Sequence, residues 1–64
     1  MIKINGELQA ADGMTVADYL SQAGYPLTTI VVEHNEEILP RDRYRHVVLA
    51  DGDQLEIVCF MGGG

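Results

Sequence analysis

Residues 52–64 constrain the fold of this chain more than any other stretch. Apolar and polar side chains alternate from Gln54 to Ile57, which predicts a β-strand with one buried face. The apolar run 58–61 extends the strand, and residues 62–64 are three glycines. Glycines bury no side chain and resist ordering, so they predict either a flexible reactive end or a frayed end or linker.

The composition limits the chain to one domain with a small core, because it has only 64 residues. A single cysteine excludes an internal disulfide, and no leader or membrane-length segment is present, so we expect a cytoplasmic protein. The net charge of −6 repels phosphate backbones. We therefore expect no nucleic acid and no membrane as partners, and an acidic surface that favours basic protein faces.

The first half of the chain predicts a hairpin followed by one helix. Asn5 and Gly6 both tolerate positive φ, so they predict a two-residue turn between two antiparallel strands. Thr15 is a suitable N-cap, and Gly24 is placed to end the helix in the left-handed conformation. The predicted helix, Val16–Ala23, has only about two turns and must therefore pack on a sheet.

The second half predicts further strands and an irregular connection. Residues 28–33 are β-branched and apolar, which favours a central strand. A turn at residues 34–36 leads to a short strand at 37–39, which a proline ends. Residues 41–46 lack strand alternation, so we predict an irregular or single-turn helical connection with Tyr44 packed on the core.

The order of these elements defines the expected architecture. It runs strand, strand, helix, strand, short strand, strand, which predicts an α+β fold with a mixed sheet of four to five strands. One main helix packs on one face of that sheet. We expect the domain to span residues 1–61 and the flexible glycine tail to span residues 62–64.

The two faces of the last strand are predicted to differ in exposure. Alternation gives two sets of side chains: Leu55, Ile57 and Cys59, and Glu56, Val58 and Phe60. We expect the set with Glu56 to face solvent, which leaves Val58 and Phe60 exposed beside the tail. Because an apolar patch with a polar rim is a normal binding face, we predict that Val58, Phe60 and Met61 bind a partner. The alternative is that Phe60 folds back on the core.

No catalytic residue and no metal site are predicted. Cys59 has no recognisable base, so we interpret it as a small buried apolar residue. His34 and His46 lack a third ligand in a metal-binding pattern, and we place both on surface turns. Asp51 and Asp53 flank a glycine and most simply stabilise that turn.

Three of the four basic residues, Arg41, Arg43 and Arg45, lie close together in the sequence. Acidic residues surround them, so we interpret the segment as a solvated loop of mixed charge. The alternative interpretation is that the arginines grip an acidic partner or a phosphate.

Three motifs together resemble the ThiS sulfur carrier family, within the ThiS/MoaD group of ubiquitin-like β-grasp proteins. They are Asn-Glu-Glu-Ile-Leu-Pro-Arg at residues 35–41, Asp-Gly-Asp at residues 51–53, and the pair Gly63-Gly64. Molybdopterin-synthase small subunits often carry Pro-Pro before the tail, where this chain has Phe60 and Met61. The resemblance therefore favours the thiamine branch of the group.

The resemblance implies a carrier that partner enzymes modify, and not an enzyme. A ThiF-like adenylyltransferase uses ATP and magnesium to adenylate the Gly64 carboxylate, and this chain binds no cofactor itself. Sulfur from a sulfur-donating enzyme then gives a thiocarboxylate. A ThiG-like thiazole synthase takes that sulfur into the thiazole ring of thiamine.

The glycine tail suits this chemistry because it must enter the sites of other proteins. Gly64 has no Cβ and allows close approach, while Gly62 and Gly63 are thin and extensible. Fully extended, the three glycines reach about 10 Å beyond the strand. The other functions that remain open are a molybdopterin-synthase small subunit, a ubiquitin-like modifier conjugated through Gly64, and a passive β-grasp interaction module.

Overall fold

The computed structural model describes residues 1–60 of the chain. Its strands and its α-helix, in chain order, are β1 (Ile2–Ile4), β2 (Glu7–Gln9), α1 (Val16–Ala23), β3 (Ile30–His34), β4 (Glu37–Leu39) and β5 (Gln54–Cys59). Two single 3-10 turns, Leu27–Thr29 and Arg41–Arg43, lie before β3 and after β4.

The five strands form one mixed sheet in the order β2-β1-β5-β3-β4. β1 pairs with β5 in parallel, and the other neighbouring strands are antiparallel. The last strand therefore lies at the centre of the sheet, between the first strand and the third. This arrangement confirms the predicted α+β, β-grasp architecture, with five strands among residues 1–60.

Helix α1 has the bounds and both caps that the sequence predicts. The Thr15 hydroxyl accepts a hydrogen bond from the Asp18 amide at 3.0 Å. Gly24 has φ 83°, and the Tyr25 amide donates to the Leu20 carbonyl at 2.9 Å, so the helix ends in a left-handed cap. No helix among residues 1–60 has the length and apolar character needed to cross a membrane.

The core lies between α1 and one face of the sheet. Three strands contribute alternate residues to it, and the helix contributes Val16 and Leu20. Tyr44 is also buried, at 4% exposure, as predicted for the connection after β4. The buried residues of β1, β3 and β5 are Ile2, Ile4, Ile30, Val32, Leu55 and Ile57.

Three local predictions differ from the structure. The strand expected at residues 28–33 begins at Ile30, because the residues after Pro26 form a 3-10 turn, and it continues through His34. The prediction that His34 lies in a surface turn is therefore wrong. The prediction that Cys59 is buried is also wrong, since its side chain is exposed. Cys59 is the last residue of β5, where the alternation of buried positions no longer holds.

Candidate partner-binding site at the end of the last strand

The backbone of β5 is held in place up to the last described residue. Its register with β3 runs from Leu55 opposite His34 to Cys59 opposite Ile30. One residue further on, the Phe60 amide donates a hydrogen bond of 2.7 Å to the Thr29 carbonyl. This hydrogen bond fixes the backbone position of Phe60 at the end of the central strand. The remaining predicted site residues, Met61, Gly62, Gly63 and Gly64, lie outside the described residues.

On its other side, β5 is held by the side chain of Asn5. Strand β1 ends at Ile4, and Asn5 begins the turn to β2 with φ 50°. The Asn5 amide donates to the Leu55 carbonyl at 2.9 Å, and its side-chain oxygen accepts from the Ile57 amide at 2.7 Å. The asparagine therefore continues the parallel ladder past the end of β1. Sequence reasoning identified Asn5 only as a turn residue, because the pairing of β1 with β5 is not local.

The exposed face of the sheet carries an apolar patch, which we call the open-face patch. It is formed by Val31 on β3, Val58 on β5 and Phe60, which follows β5. Val31 and Val58 are directly opposite each other on β3 and β5. Val58 is 55% exposed and Phe60 57% exposed, so Phe60 does not fold back on the core. The predicted exposure of both side chains is confirmed, and their role in partner binding stays a prediction.

Two carboxylates border the open-face patch. Glu33 on β3 is directly opposite Glu56 on β5, and Ile38 on β4 is opposite Glu33. Neither glutamate forms an ion pair with any residue between 1 and 60. Like charges in directly opposed positions destabilise a sheet. The pair therefore makes this face complementary to a partner surface that is both apolar and basic.

The start of β5 is fixed by the carboxylate of Asp53. Its oxygens lie 3.0 Å from Nε2 of His34 and 3.2 Å from the side-chain nitrogen of Asn35, and they accept the Ala50 amide at 3.0 Å. The pKa of Asp53 is lowered, chiefly by the hydrogen bond from His34 and then by the hydrogen bond from the Ala50 amide. The side-chain oxygen of Asn35 also accepts the Gln54 amide at 2.8 Å.

This network confirms that Asp53 stabilises its turn, and it shows that Asp53 also links two parts of the sheet. The carboxylate joins the β3–β4 hairpin to the entry of the central strand, a contact across nineteen positions of sequence. Across residues 1–60, no group of three side chains is arranged to hold a metal ion.

The fold defines a ubiquitin-like β-grasp protein whose central strand ends beside an exposed apolar face. A sequence model of the ThiS family matches residues 2–64. The chain therefore belongs to the ThiS family.

Individual relatives agree with this assignment over all or nearly all of their length. The chain is 38% identical to the sulfur carrier protein ThiS of Bacillus subtilis, and the match covers 100% of both chains. It is 34% identical to the sulfur carrier protein ThiS of Thermus thermophilus, again over 100% of both. The crystal structure of the thiamine biosynthesis protein ThiS from Geobacter metallireducens superposes with a TM-score of 0.77 at 31% identity, covering 98% of this chain and 97% of that one.

A longer relative contains a segment similar to this chain. The thiazole synthase of Paramagnetospirillum magneticum is 45% identical over 62 residues. The match covers 95% of this chain but only 19% of that protein. In that relative, a ThiS-like segment is thus part of the same polypeptide as the rest of a thiazole synthase.

Proposed function

We propose that this chain is a sulfur carrier of thiamine biosynthesis, in which the Gly64 carboxylate is adenylated and then converted to a thiocarboxylate. A ThiF-like adenylyltransferase supplies the activation with ATP and magnesium, and a sulfur-donating enzyme supplies the sulfur. A ThiG-like thiazole synthase is the acceptor. The chain is the substrate of these enzymes, and its own residues bind and position.

The observation that carries this proposal is the position of Phe60. It lies at the end of the central strand, held by the 2.7 Å hydrogen bond to Thr29, and its side chain is exposed on the open face. A partner that binds the open-face patch therefore contacts Phe60, which is separated from the C-terminal glycines in the sequence by one residue. Membership of the ThiS family supports the same conclusion.

The chemistry requires a partner because a free carboxylate is a poor electrophile. With a pKa of about 3.5, a C-terminal carboxyl group is ionised at neutral pH. Attack of its oxygen on the α-phosphorus of ATP forms an acyl adenylate and releases pyrophosphate. A sulfur nucleophile then displaces AMP at the carbonyl carbon. The sequence contains no phosphate-binding Gly-x-x-x-x-Gly-Lys motif, so the nucleotide site belongs to the partner in this proposal.

The fused relative supports a thiazole synthase as the acceptor. When a ThiS-like segment and the rest of a thiazole synthase are in one polypeptide, each has a high effective concentration for the other. For a separate chain, the same encounter depends on a binding surface. We assign this encounter, and that with the ThiF-like adenylyltransferase, to the open-face patch with its acidic border.

The proposal predicts that Phe60→Ser impairs partner binding more than folding. Phe60 is more than half exposed, so its replacement removes little buried area. In an interface, loss of a central aromatic side chain costs about 2 kcal/mol or more. We expect thiocarboxylate formation with a purified ThiF-like partner to slow, while the melting temperature stays nearly unchanged.

Leu8→Ser is the matched control for this experiment. Leu8 is 66% exposed on the same face of the sheet. It is opposite Lys3 on β1, which in turn is opposite Gln54 at the start of β5. Phe60 follows Gln54 by six positions and lies one residue beyond β5, which places it about 20 Å from Gln54. Equal slowing by Phe60→Ser and Leu8→Ser would contradict the assignment, and so would a collapse in melting temperature with Phe60→Ser while binding persists.

A further inference from the structure

A second surface, on the helix side of the sheet, is not used by the proposed sulfur transfer. Between α1 and the segment that follows β4 lies a groove of about 640 Å³. Its volume falls within the range of about 300–1,000 Å³ that is typical of ligand clefts. It is lined by Ala17, Leu27, Arg41, Asp42, Tyr44 and Arg45.

The walls of this groove are fixed by backbone hydrogen bonds. The Ala17 amide donates to the Tyr44 carbonyl at 2.9 Å, which joins the helix to the segment after β4. Within that segment, the Tyr44 amide donates to the Arg41 carbonyl at 3.1 Å. The groove is therefore formed before any ligand arrives, and binding does not have to order its backbone.

The floor of the groove is apolar and its border is positively charged. Burial raises the pKa of the Tyr44 hydroxyl, and the nearby charge of Arg41 acts in the opposite direction. Leu27 is 41% exposed, so its side chain is accessible to a ligand in the groove. The two guanidinium groups of Arg41 and Arg45 outweigh the single carboxylate of Asp42.

The arginines are unpaired within the part of the chain that the structure describes. The chain has ten acidic residues and four basic ones, yet no arginine lies within ion-pairing distance of a carboxylate among residues 1–60. On a protein with a net charge of −6, this groove is therefore a local positive site. Its charge complements an acidic ligand, whereas the net charge of the whole protein repels one.

We propose that this groove binds an acidic segment of a partner protein, with carboxylates at Arg41 and Arg45 and an aliphatic side chain on the floor beside Leu27. Guanidinium groups bind carboxylates through paired hydrogen bonds, and the apolar floor requires a side chain without charge. Because α1 and the open face lie on opposite sides of the sheet, this partner and the sulfur-transfer enzymes bind at the same time.

The test is a titration followed by the amide chemical shifts of the labelled full chain. The probe is a synthetic peptide, Asp-Glu-Leu-Glu-Asp, with both ends blocked, and the control peptide is Asn-Gln-Leu-Gln-Asn. We expect the acidic peptide to shift the amides of Ala17, Leu27 and residues 41–45, and to leave Val58 and Phe60 unchanged. The control peptide is expected to produce no such shifts.

Arg43 provides a matched control because it does not line the groove. We expect Arg41→Gln and Arg45→Gln each to weaken peptide binding about fivefold, and Arg43→Gln less than about twofold. All three variants lose one positive charge. Equal weakening by the three variants would show diffuse attraction and overturn the proposal. Shifts centred on the open face, or groove shifts caused by inorganic phosphate but not by the peptide, would overturn it as well.

Discussion

Glu36 occupies a backbone conformation that its side chain disfavours. Asn35 and Glu36 form the two-residue turn between β3 and β4, with φ values of 52° and 71°. The equivalent turn between β1 and β2 has glycine at its second position, with φ 85° at Gly6. A left-handed conformation costs a residue with a Cβ about 1–2 kcal/mol, a cost that glycine does not incur. This turn is therefore a local source of instability.

We predict that Glu36→Gly increases the free energy of unfolding by about 0.5–1 kcal/mol, since the relief of strain exceeds the extra entropy of glycine in the unfolded chain. Urea denaturation measures the change. Glu37→Gly is the control, because it removes the same charge from the first residue of β4. There glycine should destabilise the strand by about 0.5–1 kcal/mol. A loss of stability with Glu36→Gly would show that the turn is not strained.

Asp53 is expected to make the stability of the protein depend on pH. Its pKa is lowered in the folded state, mainly by the hydrogen bond from His34. A carboxyl group with a lowered folded pKa stabilises the protein above its unfolded pKa of about 3.9 and loses that contribution as the pH falls through the folded value. The stabilisation is therefore present at neutral pH and disappears in acid.

We predict that Asp53→Asn lowers the free energy of unfolding by roughly 1–3 kcal/mol at neutral pH, because it removes a charged acceptor of several hydrogen bonds. The difference from the unmodified chain should shrink as the pH is lowered from about 5 to about 2. Asp51→Asn is the control, since Asp51 is 87% exposed beside the same glycine and pairs with the exposed N-terminal ammonium group at 2.7 Å. Solvent screens this exposed pair, so its loss should destabilise the protein much less than Asp53→Asn. A difference for Asp53→Asn that persists in acid would contradict this assignment.

Several single residues could be predicted from the sequence, and others could not. The caps at Thr15 and Gly24 depend on neighbours within the same turn, so they were predicted correctly. The contacts of Asn5 with Ile57 and of His34 with Asp53 join residues that are far apart in the sequence. Cys59 was placed in the core because it lacks a recognisable base and shares a strand face with Leu55 and Ile57. Neither feature shows that the helix and loops do not cover the end of β5.

At the scale of elements, β5 depends on side chains of two turns for its position. The Asn5 side chain accepts the Ile57 amide, and the Asn35 side chain accepts the Gln54 amide. Both asparagines have a left-handed backbone that glycine can also adopt. Replacement of either one by glycine thus keeps the turn and removes the contact with β5.

We predict that Asn5→Gly accelerates hydrogen exchange at the Ile57 amide, because that partly buried donor loses its acceptor, at a cost of about 1–3 kcal/mol. Asn35→Gly should instead accelerate exchange at the Gln54 amide. The two variants are controls for each other. If both variants accelerated exchange equally at both amides, the effect would be global unfolding and not local support of the central strand.

The elements themselves were mostly predictable because their signals are local. The helix was predicted with its observed bounds, and the short strand after the second turn was also correct. The strand order was not predicted, since it places β5 between β1 and β3, and such pairing is not encoded by neighbouring residues. The start of β3 was missed because β-branched residues at 28–29 resemble a strand while Leu27–Thr29 forms a 3-10 turn.

At the scale of the whole molecule, the two sides of the sheet have different chemistry. One side has α1 and the groove bordered by Arg41 and Arg45, and the other has the open-face patch bordered by Glu33 and Glu56. Phe60, the last residue that the structure describes, lies exposed on the open face. This separation leaves the helix side free when a partner binds the open-face patch.

Intact mass spectrometry of the chain tests the central claim most directly. The chain is incubated with ATP, magnesium, a ThiF-like adenylyltransferase and a sulfur source, and fragmentation then locates the change. We predict a mass increase that corresponds to replacement of one oxygen by sulfur, at the carboxyl group of Gly64. An unchanged mass would contradict the account, and so would a larger adduct that joins Gly64 to a lysine of another protein.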